Sequence, residues 1–219
     1  MARRADTPVV LLGLAGLMLA AAAALSLFAA LRALPAEPIV AALREREAVA
    51  ADDAAAAARA SLRAAAWFET GRYLTDAAMA LTVPGAARDG LPTAGAVVTR
   101  ALVAQPISPY NWTRLAIVRR NGGDTAAAMR AWDMSVLSGR YVPGLMLPRL
   151  DVGFGLMGAA GPEQVRLLGD QVRIVARLDA AGLAAVARRR RVEPFVRAAL
   201  TAAPDLLETF EATDRAAQR

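Results

Sequence analysis

At 219 residues the chain has room for one domain, or for one domain and an anchor. Histidine and cysteine are both absent, which excludes disulfides, thiolate nucleophiles, Cys/His zinc sites and imidazole base catalysis. All 26 basic residues are arginine against 20 acids, so the net charge of +6 reflects an arginine-biased, alanine-rich composition of the kind GC-rich bacterial genomes produce. It permits an anionic partner without demanding one.

Residues Pro8 to Leu31, "PVVLLGLAGLMLAAAAALSLFAAL", form an uncharged apolar run that ends at Arg32. About 20 apolar residues cross a hydrocarbon core of about 30 Å, so the run is long enough to span with tilt to spare. A cleaved signal peptide is the rival reading, with Ala20–Ala24 as small residues for a peptidase. The apolar stretch outlasts the roughly 7–15 residues of a signal's core, and this favours an uncleaved anchor. Arg3 and Arg4 precede the run with only Asp6 against them, and Arg44 and Arg46 lie farther beyond it. That bias places the amino end inside and the body outside the cytoplasm. Gly16, Ala20 and Ala24 recur every four residues, a stripe that would let two such helices pack as a homodimer.

From Pro38 to about Tyr73 alanine, glutamate and arginine predict helix, with Asp52-Asp53 as the start of a second one. Leu62, Ala66 and Trp67 are expected on one face of it. "LTDAAMALTVP" predicts a short helix stopped by Pro84, "GAARDGLP" a loop, and "TAGAVVTRALVAQP" a helix ended by Pro106. No stretch alternates in the manner of a strand, so the body is expected to be all-α.

In "NWTRLAIVRRNGGDTAAAMRAW" two of the three tryptophans bracket a Gly-Gly-Asp break. Pro109 opens a helix, with Trp112, Leu115, Ala116 and Arg119 at i, i+3, i+4 and i+7. Gly122-Gly123 stops it, Asp124 caps the next, and Ala128, Ala131, Trp132 and Ser135 repeat the spacing. This resembles a tetratricopeptide repeat, two antiparallel helices in a period of about 34 residues. The family's first-helix triplet is matched by Trp112, Leu115 and Ala116, its turn by Gly123 and Asp124, and its second helix by Ala128, Trp132 and Ser135. Its closing proline falls on Arg140 and is missing, with Pro143 nearby. One period earlier Pro106 stands in that closing place, and Ala94, Val98 and Ala101 align with Ala128, Trp132 and Ser135. "GRY" at Gly71–Tyr73 returns at Gly139–Tyr141. The expected core of the best repeat, residues 109–142, is therefore Trp112, Leu115, Ala116, Ala128 and Trp132, each indole filling space left by small residues on the facing helix. Downstream, a hairpin with its turn at Gly158–Gly161 and Pro162 opening its second helix, a second pair around "DAAGLAAVARRRR" and "VEPFVRAAL", and a closing helix with an acidic end continue the pattern.

Without histidine, cysteine or lysine no nucleophile–base pair is available, and none of the five serines sits in a GxSxG elbow. Asp52-Asp53 and "ERE" suit solvated helix faces, "GFG" and "GLAG" lack the strand that precedes a phosphate loop, and "NWT" places Trp112 in a core. No enzymatic activity, cofactor or metal is expected. Residues Pro109 to Arg191 hold 13 arginines against 6 acids, densest at Arg188, Arg189, Arg190 and Arg191. Their bland reading is a solvated helix end; their functional one is a patch for an anionic lipid, glycan or acidic protein. Aromatic residues do not interleave with the arginines, so nucleic acid is not the expected partner. The resemblance implies a second surface: in the repeat family the groove is lined by outward residues of the first helix, here Tyr110, Thr113, Ile117, Arg120 and Asn121, where a peptide or partner helix would lie. The family's Lys/Asn carboxylate clamp is absent from these positions.

The expected architecture is thus a tip and transmembrane anchor (1–34), a juxtamembrane helical segment (35–75) and a tetratricopeptide-like helical-hairpin solenoid (76–219). The expected function is a scaffold in the bacterial inner membrane with its body in the periplasm, joining envelope or membrane proteins in assembly, polysaccharide export or secretion. An accessory subunit of a larger inner-membrane complex is the alternative.

Overall fold

The computed structural model describes residues 7–45, 47–87 and 93–216. Arg3, Arg4 and Asp6, Arg46 and residues 88–92 of the "GAARDGLP" loop lie outside the described residues. All regular structure among the described residues is helical. Two compact units divide the chain at Ala104. Residues 76–104 therefore belong with the apolar amino-terminal helix, not with the hairpins that follow.

The first unit holds α1 (Thr7–Ala33), a 3-10 turn (Leu34–Ala36), α2 (Glu37–Arg44), α3 (Ala51–Trp67), α4 (Gly71–Leu81) and α5 (Ala94–Ala104). From Val10 to Leu27 every side chain of α1 is exposed, leucines included. The change comes at Phe28. Ala29 and Ala33 are buried, and this end of α1 packs on α3. α3 buries Ala54, Ala55, Ala57, Ala58, Ala60, Ser61, Ala64 and Ala65, almost all methyl-sized groups that let neighbouring backbones approach closely. The expected face of Leu62, Ala66 and Trp67 is not the buried one: Leu62 is half-buried, and Ala66 and Trp67 are exposed. Alanine wins because α3 is covered by α1, α2 and α4 together, leaving no room for larger side chains on those sides. Asp52 and Asp53 fall in the first turn of α3, as their dipole preference requires. Thr70 caps α4 by accepting from the Tyr73 amide, and Arg44 of α2 donates to Asp76 of α4 at 2.8 Å.

The second unit runs α6 (Pro109–Asn121), α7 (Thr125–Ser138), α8 (Pro143–Phe154), α9 (Pro162–Leu178), α10 (Ala180–Arg190), α11 (Glu193–Leu200) and α12 (Pro204–Ala216). Four of these helices begin with proline, whose missing N–H costs nothing in a first turn. Ser108, Asp124 and Asp179 cap α6, α7 and α10 through side-chain oxygens on Asn111 N (3.4 Å), Ala127 N (3.0 Å) and Gly182 N (2.8 Å). Gly123 turns α6 into α7 at φ +83°, a left-handed conformation that favours glycine. α6 packs along α7, α8 pairs with α9, and α10 with α11; α6 also lies on α8, α8 on α10 and α10 on α12. One apolar core joins them, with Trp132, Leu150, Leu168, Leu183, Leu200 and Phe210 fully buried.

Candidate functional site

The five α6 residues expected to line a groove do not share one outward face. Tyr110 is 45% exposed and Asn121 is exposed, but Ile117 packs against the core and Thr113 is buried. The hydroxyl of Thr113 donates to the Pro109 carbonyl at 2.9 Å and lies 2.6 Å from Ser135 Oγ. A β-branched residue with two polar partners on its neighbours is held in the α6–α7 seam, and this divides the expected groove. Arg120 is half-buried, and its Nη1 is enclosed with no hydrogen-bond partner among the described residues.

The arginine run is bound mostly into the protein itself. Arg188 donates to Asp214 of α12 at 2.9 Å. Arg189 and Arg190 both reach Asp151 of α8, with three bonds of 2.8 Å. Arg191 alone of the four is a backbone device: it ends α10 at φ 57°, with its side chain exposed. Burial by itself would push the Asp151 carboxyl up, but hydrogen bonds from Arg190 and Arg189 and their charges outweigh it and hold the group at about 2. The run therefore does its main work at the carboxyl ends of helices, where cations complement the dipole.

Two residues 70 positions apart in the chain meet here. A Cβ built on Gly155, where α8 ends, would stand 3.1 Å from Arg120 Nη1 and 3.5 Å from Arg190 Nη1. The carboxyl ends of α6, α8 and α10 thus approach one another at Gly155, which Arg120 and Arg190 both reach, while Arg189 and Arg190 bind the carboxylate of Asp151. Two cations on the Asp151 carboxylate and a third, Arg120, near Gly155 leave this region positive, facing solvent at Gly155 and Arg189. Its chemistry is that of a seat for a carboxylate or another oxyanion. The sequence suggests both contributors, but in separate surfaces.

The two tryptophans differ from each other in how deeply they are buried. Trp132 is fully buried, and its indole N–H donates to the Arg149 carbonyl at 2.8 Å. Its ring lies so close to Gly153 that a Cβ there would come within 2.8 Å of the indole nitrogen. Trp132 therefore joins α7 to α8 across two hairpins; it does not only brace its own. Trp112 is half-buried against the core, and its N–H donates to the Pro106 carbonyl at 2.7 Å, tying α6 to the loop before it. Leu115 is likewise partly buried, whereas Ala116 and Ala128 are fully enclosed.

Arg149, a lone arginine in the apolar stretch "GLMLPRLDVGFG", is not among the residues that the sequence pattern singles out. It is completely buried. Its Nε donates to Ser135 Oγ at 3.0 Å and its Nη1 to Gln171 Oε1 at 3.2 Å, while Nη2 has no partner among the described residues. Burial pushes this guanidinium down to about 10, and it stays charged at neutral pH. Thr113, Ser135, Arg149 and Gln171 make a polar track through α6, α7, α8 and α9.

Among the described residues, one helix is long and apolar enough to cross a membrane: in the helical stretch Val10–Arg44, which takes in most of α1, an 18-residue window has a mean hydropathy of 2.3 and none of it is buried. The class defined by the fold is accordingly an all-helical protein with an apolar amino-terminal helix. The chain matches no protein-family model and no curated protein.

Proposed function

We propose that the protein is a membrane-anchored, non-catalytic docking protein of the bacterial envelope. In this reading α1 sits in the inner membrane with its amino end inside, and the helical body in the periplasm holds other envelope proteins during assembly, export or secretion. One observation supports it most: α6 contacts α8, α8 contacts α10 and α10 contacts α12, a succession of neighbouring helices along the second unit. That arrangement is the one a tetratricopeptide-like array would use to offer an extended surface. The positive cluster around Asp151 and Gly155 lies along this succession and suits an acidic segment of the partner.

The test is photocrosslinking in membranes, with a benzophenone amino acid replacing the exposed Tyr110 or Asn121 and, as comparison, Glu208 of α12. A discrete adduct from 110 and 121 that weakens when Arg120 and Arg190 are both changed to glutamate is the expected result. Membranes in which neither position forms an adduct overturn the reading. The alternative, an accessory subunit held mainly through its span, rests on the exposed small residues Gly16, Ala20 and Ala24 along α1. It requires adducts from Leu14 or Met18 instead.

A further inference from the structure

We infer that the end of α3 is seated in the headgroup layer of the same bilayer that α1 crosses, so that Trp67 and Phe68 form an interfacial collar around the anchor. The inference rests on the membrane reading above and goes beyond it, because it makes a second element of the body a lipid-contacting one. The exposed apolar run of α1 from Val10 to Leu27 has 18 residues, which at the helical rise extends about 27 Å, close to the thickness of a hydrocarbon core. Phe28 is the next residue. Its ring meets that of Trp67 edge to face, with centroids 4.7 Å apart. The Arg32 guanidinium lies over the same Phe28 ring, 4.9 Å from its centroid.

Trp67, the last residue of α3, is therefore fixed by direct contact at the level where the span ends. Yet Trp67 is 53% exposed and Phe68 38%, beside Leu31 at 55% and Leu34 at 58%. Large apolar groups in such number are costly in water and favourable in an interface, where an indole has both hydrocarbon and polar neighbours. Charge marks the outer limit of the layer. Glu69, two residues past Trp67, is paired with Arg100 at 2.8 Å, and Arg72 is paired with Glu37. The occupant is thus lipid, set by continuity with the span. The consequence is mechanical: α1 is docked on α3 through Ala29 and Ala33 and clamped by the collar, so the first unit is held at a fixed height and angle, not on a tether.

The chain has no cysteine, so single-cysteine variants can be spin-labelled in the full-length protein. The label is placed at Phe68→Cys, at Met18→Cys in the span and at the exposed Asp53→Cys at the opposite end of α3. Each is reconstituted in vesicles of phosphatidylethanolamine and phosphatidylglycerol, and accessibility to oxygen and to a water-soluble nickel chelate is measured. The expected result is an oxygen-to-nickel ratio several-fold higher at 68 than at 53, and higher still at 18. A label at 68 that reads like 53 while 18 reads as lipid-buried overturns the collar and leaves the anchor standing. Protection at 68 from both reagents also overturns it, because protein and not lipid then covers the site. A label at 18 accessible to nickel overturns the anchor, and the collar with it.

Discussion

At the scale of single residues, the second unit depends on a few large side chains placed among small ones. Trp132 has no exposed surface and bridges α7 to α8, whereas Trp112 keeps part of its ring in water. Replacing Trp132 by alanine should therefore cost about 3–5 kcal/mol, and replacing Trp112 roughly half as much; urea unfolding followed by circular dichroism distinguishes them. Equal costs would mean that Trp112 is enclosed after all. Asp151 sets the acid behaviour of the same region. Its folded value of about 2 lies below the 3.8 of an unperturbed aspartate, so its contribution is fully present above pH 4 and is lost as pH falls toward 2. That contribution is on the order of 1–2 kcal/mol. In Asp151→Asn the drop in melting temperature between pH 5 and pH 2.5 should shrink accordingly, because this acid limb is gone.

At the scale of elements, the helix ends were the most legible part of the chain. Proline at first positions, the oxygen of Asp124 and the Gly122-Gly123 break all act locally, within a turn of where they stand. The Ser108 and Asp179 caps act just as locally, though they are not among the residues that the sequence pattern singles out. The end of α10 is the exception. The amides of Arg191 and Val192 bond back to the Arg188 and Ala187 carbonyls at 3.1 and 3.0 Å, closing the helix with arginine in the left-handed position that glycine prefers. Arg191→Gly should stabilise the unit by about 0.5–1 kcal/mol, since it removes that strain while its exposed side chain is lost from water. A loss of stability in thermal melts would show that the Arg191 side chain makes a contact worth more than the strain. The face of α3 shows the opposite situation. Its alanines say helix in every direction, and which of them face inward depends on α1, α2 and α4.

At the scale of the whole molecule, the two units have separate interiors. The apolar core built on Trp132, Leu168 and Phe210 draws all its members from residues 116 to 210, inside the second unit. A fragment of residues 105–219 should therefore fold alone, with helical circular dichroism, a cooperative thermal transition and a blue-shifted Trp132 emission. A fragment that stays unfolded would show that the first unit completes this core. The first unit has a different problem to solve, because α1 exposes its leucines and its end must be joined firmly to the small-residue face of α3.

Composition and local pattern by themselves determined the all-helical class, the apolar amino-terminal helix, the helix starts at Pro109, Thr125 and Pro162, and the hairpin around Gly122-Gly123. These follow from propensity, capping and hydropathy, which act over a few residues. Only the tertiary structure decided that Thr113 turns inward, that Trp132 joins two hairpins, that Arg149 is buried on Ser135 and Gln171, and that Arg189 and Arg190 share Asp151 with Arg120 close by at Gly155. It also decided that Trp67, which looks like a core residue, stands exposed beside Phe28. Each of those outcomes is a competition between side chains distant in the chain for space, for a hydrogen-bond partner or for a counter-charge. An alanine-rich sequence leaves that competition open until its helices pack.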